Sequence, residues 1–226
     1  MKLLALETST EACSVALYVE GRIFSRFRHA PRLQTELLLP MIDEVMAEAG
    51  ITLDAVELLA YSRGPGAFTG VRIAAAAVQA LAFARELPVV SVSSLQTLAQ
   101  GVLRVHGSAR ALTVFDARMD EVYAGAYEQQ GELMQPLDED HLCAPADLPK
   151  KLCGEFFGAG NGFAVHETVL RQQCTFSGMD AGLFPSAEDV IPLALDIHAR
   201  QGAQAPELAL PVYLRDEVWK KLPGRE

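Results

Sequence analysis

Two carboxylates stand where catalysis could begin. Glu7 closes the apolar run Leu3-Leu4-Ala5-Leu6, and Asp116 closes Ala111-Leu112-Thr113-Val114-Phe115. A polar turn follows each, Thr8-Ser9-Thr10-Glu11 in one case and Ala117-Arg118-Met119-Asp120 in the other. Acids at the ends of two strands, one from each half of a chain, can share a cleft, hold Mg²⁺ and orient a phosphoryl acceptor. Each can equally accept backbone N–H groups from its own turn, and for Glu7 this structural role is the favoured reading.

A second candidate is Arg63-Gly64-Pro65-Gly66-Ala67-Phe68-Thr69-Gly70-Val71-Arg72, set between an apolar stretch and an alanine-rich one. The order is strand, glycine turn, helix. Glycines adopt backbone angles that a Cβ opposes, and Thr69 is placed to cap the helix. A helix start with free N–H groups attracts anions, which makes Gly64, Gly66, Thr69, Gly70 and Arg72 a candidate nucleotide-binding set. The simpler reading is that the glycines let strand and helix meet closely, and it is preferred. The Lys-Ser/Thr pair of a P-loop and the G-x-G-x-x-G spacing are both missing.

Other chemistries find little support. G-x-S-x-G is missing, so no nucleophile elbow is expected. His29, His106, His141, His166 and His198 stand too far apart to form a local helical metal pair. Cys13, Cys143, Cys153 and Cys174 show no C-x-x-C spacing and read as scattered reduced thiols. No catalytic or metal-ligating residue is therefore assigned. The net charge of −10 gives no general attraction to nucleic acid phosphates. Met1-Lys2 leads directly into a strand-like run, so a soluble cytoplasmic protein without a signal peptide or membrane span is expected.

The elements that must position these residues read as α/β. Strands are expected at residues 3–7, 13–19 and 22–29. A helix follows over residues 33–49, with Pro40 inside it. A strand begins at Val56, and after the glycine turn a helix runs to Arg85. Residues 88–92 form a strand, and Ser93-Ser94 opens a helix to Leu103. The outline then repeats, with strands at 111–116, 122–128 and 133–137. A short helix at 146–152, a strand at 155–158 and a helix at 163–171 come next. Residues 174–186 read as a loop, and a helix capped by Ser186 spans 187–201. The shared order suggests a duplicated domain: residues 1–108 and 109–226, with the last helix and tail packed back on the first. Trp219 reads as a packed anchor or a partner contact, and residues 222–226 as loose.

Two helices carry more apolar or small residues than one buried face needs. Leu37, Met41 and Val45 on the first, with Val71, Ala74, Ala77, Val78 and Leu81 on the second, mark a patch that docks a second copy or a partner. Ala74 and Ala77 are its natural probes.

Leu4-Ala5-Leu6-Glu7-Thr8-Ser9-Thr10, the glycine turn, Phe115-Asp116-Ala117-Arg118-Met119-Asp120-Glu121-Val122-Tyr123 and Pro211-Val212-Tyr213-Leu214-Arg215 together resemble the TsaB (YeaZ) family of bacterial tRNA threonylcarbamoyladenosine biosynthesis. The resemblance spans nearly the whole chain. It implies two ribonuclease-H-like domains with mixed central sheets, as in actin, sugar kinases and heat-shock ATPases. It implies a non-catalytic scaffold or activating subunit, partnered by a TsaD-like catalytic paralogue and a TsaE-like ATPase. The complex makes N6-threonylcarbamoyladenosine beside the tRNA anticodon, and tRNA is met only through the complex. A homodimer is implied for the isolated chain. No cofactor is expected on it, ATP/Mg and a metal ion belonging to the partner subunits. The usual opening acid of the superfamily is Asp, and here it is Glu7. The alternatives are an independent kinase-like phosphotransferase and a glycoprotease-like metallopeptidase.

Overall fold

A computed structural model describes residues 1–215; the positions of Trp219 and residues 222–226 lie outside them. Two mixed sheets form the frame. The first contains β1 (Lys2–Glu7), β2 (Ala12–Val19), β3 (Arg22–His29), β4 (Leu58–Ser62) and β5 (Val89–Val92), in the order β3-β2-β1-β4-β5. The second contains β6 (Arg110–Arg118), β7 (Glu121–Gln130), β8 (Leu133–Pro136), β9 (His141–Cys143), β10 (Glu155–Ala159) and β11 (Thr175–Asp180). Its order is β11-β10-β6-β7-β8, with β9 also pairing β7. Read from the opposite edge, the second sheet repeats the first. β1 and β6 are equivalent central strands, each antiparallel to the next strand and parallel to a later one. Glu7 and Asp116 thus occupy matching positions near the ends of matching strands.

Both faces of each sheet are covered, so the central strands are apolar throughout. On the first sheet Leu4, Leu6, Leu59 and Tyr61 face α1 (Gln34–Ala49) and α2 (Phe68–Arg85). Leu3, Ala5, Leu58 and Ala60 face the other way, onto α5 (Ala187–Gln201). On the second sheet Leu112 and Val114 pack against Phe163 and Leu170 of α4 (Gly162–Gln173). The opposite face holds Ala111 and Phe115, covered by Leu95, Leu98 and Val102 of α3 (Ser94–His106).

The two inner helices are exchanged relative to chain order. α3 ends the first half of the sequence but lies on the second sheet, while α5 follows the second sheet and lies on the first. They are tied by Arg104, whose Nε and Nη2 donate to the two oxygens of Asp189 at 2.7 and 2.9 Å. Asp189 is buried. α5 starts where sequence places it, with the Ser186 hydroxyl accepting the Glu188 N–H. Ser93 caps α3 in the same manner.

Some local expectations change. α2 is entered through Ala67, which offers no side-chain cap, and Thr69 sits inside the first turn. Residues 146–152 form two short 3₁₀ turns, Pro145–Asp147 and Lys150–Leu152. Pro149 between them has no N–H to continue a helix. The loop expected at 174–186 contains β11, an edge strand. It is short, carries Gly178 and leaves Thr175 and Ser177 exposed, so it lacks the apolar signature of a central strand.

Because α5 covers a sheet formed by the opposite end of the chain, truncating its core should unfold both halves together. Ile191→Ala is expected to cost about 2–5 kcal/mol. Urea unfolding followed by both far-ultraviolet circular dichroism and tyrosine fluorescence should give one coincident transition. Two separated transitions would refute the interlock.

Candidate functional site

Between the sheets runs a cleft of about 890 Å³. The β1–β2 turn, the glycine loop, the β6–β7 turn and the C-terminal segment of residues 212–215 enclose it. Ser9, Gly66, Phe68, Asp116, Asn161 and Tyr213 are among its lining residues.

The glycine loop is pressed against the β1–β2 turn. A Cβ on Gly70 would stand 2.0 Å from the Thr8 carbonyl oxygen, and one on Gly66 would stand 2.3 Å from that of Ser9. Neither backbone oxygen can move away cheaply. The contact is stitched by hydrogen bonds, Thr8 Oγ1 donating to Gly70 O at 2.7 Å and the Ala67 N–H donating to Ser9 O at 2.7 Å. One N–H at the entry to α2 is therefore taken by the chain itself. Gly64, at φ 104°, has its own role: its N–H reaches Ser94 Oγ, and its carbonyl accepts the Ser94 N–H. Of the five residues assigned to a nucleotide, Gly64 and Gly70 are buried, Gly66 is half-buried at the cleft wall, and Thr69 and Arg72 are exposed. Arg72 lies 3.4 Å over the Phe68 ring, and its Nε donates to Tyr213 Oη at 2.6 Å.

Glu7 is fully buried. Its Oε1 accepts the Ser9 N–H at 2.5 Å, and Oε2 has no partner among the described residues. Burial pushes its pKa from 4.5 to about 7, with the nearby Ser62 and Ser9 hydroxyls and the Ser9 N–H pulling the other way. Asp116 is likewise engaged with its own turn. Its Oδ1 accepts the Arg118 N–H at 2.8 Å, and Oδ2 pairs with the Arg118 guanidinium at 2.9 Å. The pair does not fit a shared divalent cation: one acid is sealed in the core and the other is neutralised by an arginine.

The β6–β7 turn holds three successive non-glycine residues in the left-handed region, Arg118, Met119 and Asp120, at φ 64°, 56° and 58°. Such a run is unfavourable without surrounding support. The support comes from the C-terminal segment, where Arg215 pairs with Glu121 at 2.6 Å and donates to Ala117 O at 3.1 Å. The C-terminal segment also ties the first half, through Val212 N–H to Arg63 O at 2.8 Å and Tyr61 Oη to Leu210 O at 2.9 Å. Sequence reading noted Pro211-Val212-Tyr213-Leu214-Arg215 as a motif but gave it no role. Phe68, Asn161 and Tyr213 were missed, since nothing in their spacing marks them as neighbours.

The structure shows how far each residue assigned to the docking patch is buried. Met41, Val45, Val71, Ala74 and Val78 are buried in the core beneath the first sheet, and Leu37, Ala77 and Leu81 are packed on its margin. Periodicity locates an apolar face but not what covers it, and here the sheet does. The residues left outside are others: Leu33 and Leu39 on or before α1, and Phe68, Ala76, Ala80 and Phe83 on α2, with Phe83 59% exposed.

Replacing either close-contact glycine adds a methyl group where backbone already stands. Gly70→Ala should destabilise the chain by about 1–3 kcal/mol or more, read by urea midpoint, with Gly107→Ala as a left-handed control in open space. Glu7 supplies a second check. Its folded pKa of about 7 exceeds the unfolded value near 4.5. The folded state then holds the extra proton, so stability is full below pH 4.5 and is lost as pH rises through 7. Relative to Glu7→Gln, the wild type should lose about 3 kcal/mol across that window. Chemical denaturation of both proteins at a series of pH values measures this, and parallel curves would exclude it.

A family model described as "TsaD: tRNA N6-adenosine threonylcarbamoyltransferase" matches residues 28–210. The tRNA threonylcarbamoyladenosine biosynthesis protein TsaB of Escherichia coli (strain K12) is 39% identical over 231 residues, covering 100% of both chains. The protein of the same name from Haemophilus influenzae is 39% identical over 237 residues, covering 100% of this chain and 99% of the relative. A solved structure described as "YeaZ from Pseudomonas aeruginosa" superposes with a TM-score of 0.87 at 45% identity, covering 94% of this chain and 99% of that one.

Proposed function

The chain belongs to the TsaB family of tRNA threonylcarbamoyladenosine biosynthesis proteins, and from that premise we propose that it is the non-catalytic, scaffolding subunit of the modifying complex. It works with a TsaD-like catalytic subunit and a TsaE-like ATPase, in the cytoplasm. It meets tRNA through that complex and forms a homodimer when alone. ATP with Mg²⁺, and a metal ion, are bound by the partner subunits. No helix of the described residues is long and apolar enough to cross a membrane.

The observation that carries the non-catalytic part is the state of the two strand-end acids. Glu7 and Asp116 stand where a phosphotransferase would hold its metal, yet both serve their own turns. The glycine loop supports the same reading, because Gly66 and Gly70 seat backbone carbonyls of the chain itself. Purified chain is expected to turn over no ATP. Sustained turnover abolished by Asp116→Ala would establish the phosphotransferase reading instead.

The partner surface is the outer face of α2. Arg72, Ala76, Ala80 and Phe83 recur at helical spacing and are exposed. Small side chains there let another helix come near, and Phe68 and Phe83 offer aromatic surface towards its two ends. Ala76→Trp and Ala80→Trp replace the buried Ala74 as probes. Each should leave folding unchanged by circular dichroism. Each should weaken association with a TsaD-like partner about tenfold or more, since overpacking a close contact costs about 1–3 kcal/mol. Titration calorimetry reads the affinity, and two variants that bind like wild type would remove α2 from the interface.

A further inference from the structure

The four cysteines looked scattered in the sequence, but the fold brings two of them to one place. β10 and β11 run parallel with Glu155 opposite Thr175, and the Thr175 N–H donates to Gly154 O at 2.9 Å. Cys153 and Cys174 therefore sit just before neighbouring strands, one step apart in register. Adjacent strands lie about 4.8 Å apart and one step along a strand is about 3.3 Å, so the offset gives a Cα separation of roughly 5.8 Å, inside the roughly 4.4–6.8 Å span that a disulfide requires. The sulfur positions agree. Cys174 Sγ lies 3.2 Å from Leu152 O, so the Cys174 thiol touches the residue immediately before Cys153. Cys153 Sγ lies 3.6 Å from Pro149 O, just before the preceding 3₁₀ turn, and packs in the same apolar cluster. Cys153 is half-buried, whereas Cys174 is only 8% exposed.

We propose that Cys153 and Cys174 are an oxidisable dithiol that closes to an intramolecular disulfide. The oxidant is a peroxide, and the half-buried thiol reacts first. The Cys153 sulfur attacks one peroxide oxygen and the O–O bond breaks, giving a sulfenic acid at Cys153 and one water. The Cys174 sulfur then attacks the sulfenic sulfur. The S–S bond forms as the S–O bond breaks, and the thiol proton leaves with the hydroxyl as a second water. Two thiols are oxidised as one peroxide is reduced to two waters. Burial pushes the Cys174 thiol up to about 11, with the Cys153 thiol also raising it, so Cys174 is a poor first nucleophile, and its attack on the sulfenic sulfur is aided by its closeness to Cys153. Cys13 lies in the first sheet, and Cys143 on β9 pairs with Val122 of β7; neither takes part. The product would pin the entry of β10 to the end of α4, bracing the edge strand β11.

The test uses the full chain treated with increasing hydrogen peroxide, then alkylation and peptide mapping without reductant. Two of the four thiols should be lost together, with one cross-linked peptide pair joining Cys153 to Cys174, and dithiothreitol should restore both. The oxidised protein should melt at a higher temperature. Cys153→Ser should leave Cys174 open to alkylation after peroxide. Cys174→Ser should leave a sulfenic acid at Cys153 that dimedone traps. Cys143→Ser should still form the cross-link. The proposal is overturned if wild type keeps all its thiols at peroxide levels that oxidise free glutathione. It is equally overturned if the cross-link involves Cys143, or if Cys153 proceeds to sulfinic acid while Cys174 stays free. The wild-type mapping needs no variant to fold.

Discussion

The contact between the glycine loop and the β1–β2 turn determines what the cleft can be. Gly66 and Gly70 bring the start of α2 against the carbonyls of Ser9 and Thr8 at distances that no side chain tolerates. This closeness has consequences in two directions. It buries the end of β1, and with it Glu7, whose charge then costs so much that the carboxyl titrates near neutral pH. It also consumes hydrogen-bonding groups around the helix start, Ala67 N–H and Thr8 Oγ1 both bonding within the chain. A loop that elsewhere could cradle a phosphate is here a weld between two parts of one sheet. The same glycines thus argue for architecture and against an independent phosphotransferase.

A second constraint follows from the exchanged inner helices. α3 and α5 each cover the sheet built by the other half, and they meet through Arg104 and the buried Asp189. Removing Arg104 would leave the buried Asp189 carboxylate unmatched, which is more costly than the pair is worth. The C-terminal segment adds a third tie, running from Tyr61 and Arg63 in the first half to Ala117 and Glu121 in the second. The cleft is therefore bounded by elements that cross between halves several times, so its walls are held at several points.

Much of this frame could be read from residues alone. The central strands announce themselves because sheets covered on both sides need unbroken apolar runs, as in Leu3-Leu4-Ala5-Leu6. Helix starts at Ser93 and Ser186 were legible because a hydroxyl cap is a local interaction. The failures share a cause: the information was not local. Ala67, with no capping side chain, begins α2 because Ser9 O accepts its N–H from across the sheet. β11 is formed by pairing with β10, not by its own weak pattern. Cys153 and Cys174 looked unrelated because parallel pairing, which no spacing rule reveals, makes them neighbours. At the site, the two acids and the glycines are legible as residue types, and the structural role is the preferred reading for Glu7 and the glycines, but the groups that the glycine loop engages are set by contacts distant in sequence.

The alanines of α2 show how composition and position divide the work. Ala74, Ala75 and Ala82 face inward, where the helix lies close over Leu6, Leu59 and Tyr61 and bulk is excluded. That accounts for part of the run without any partner. Ala76, Ala80 and Ala84 face outward, and helix propensity alone is enough to favour alanine there. The alanines by themselves therefore prove nothing about docking. What propensity does not explain is the company they keep. Phe68 and Phe83 leave about half or more of their surface in water, at 50% and 59%, and both are poorer helix formers than the residues they displace. Phe68 is partly engaged, under the Arg72 guanidinium and beside the Tyr213 ring, so the proposal of an external partner on α2 rests mainly on Phe83 and not on the alanine count that first suggested it.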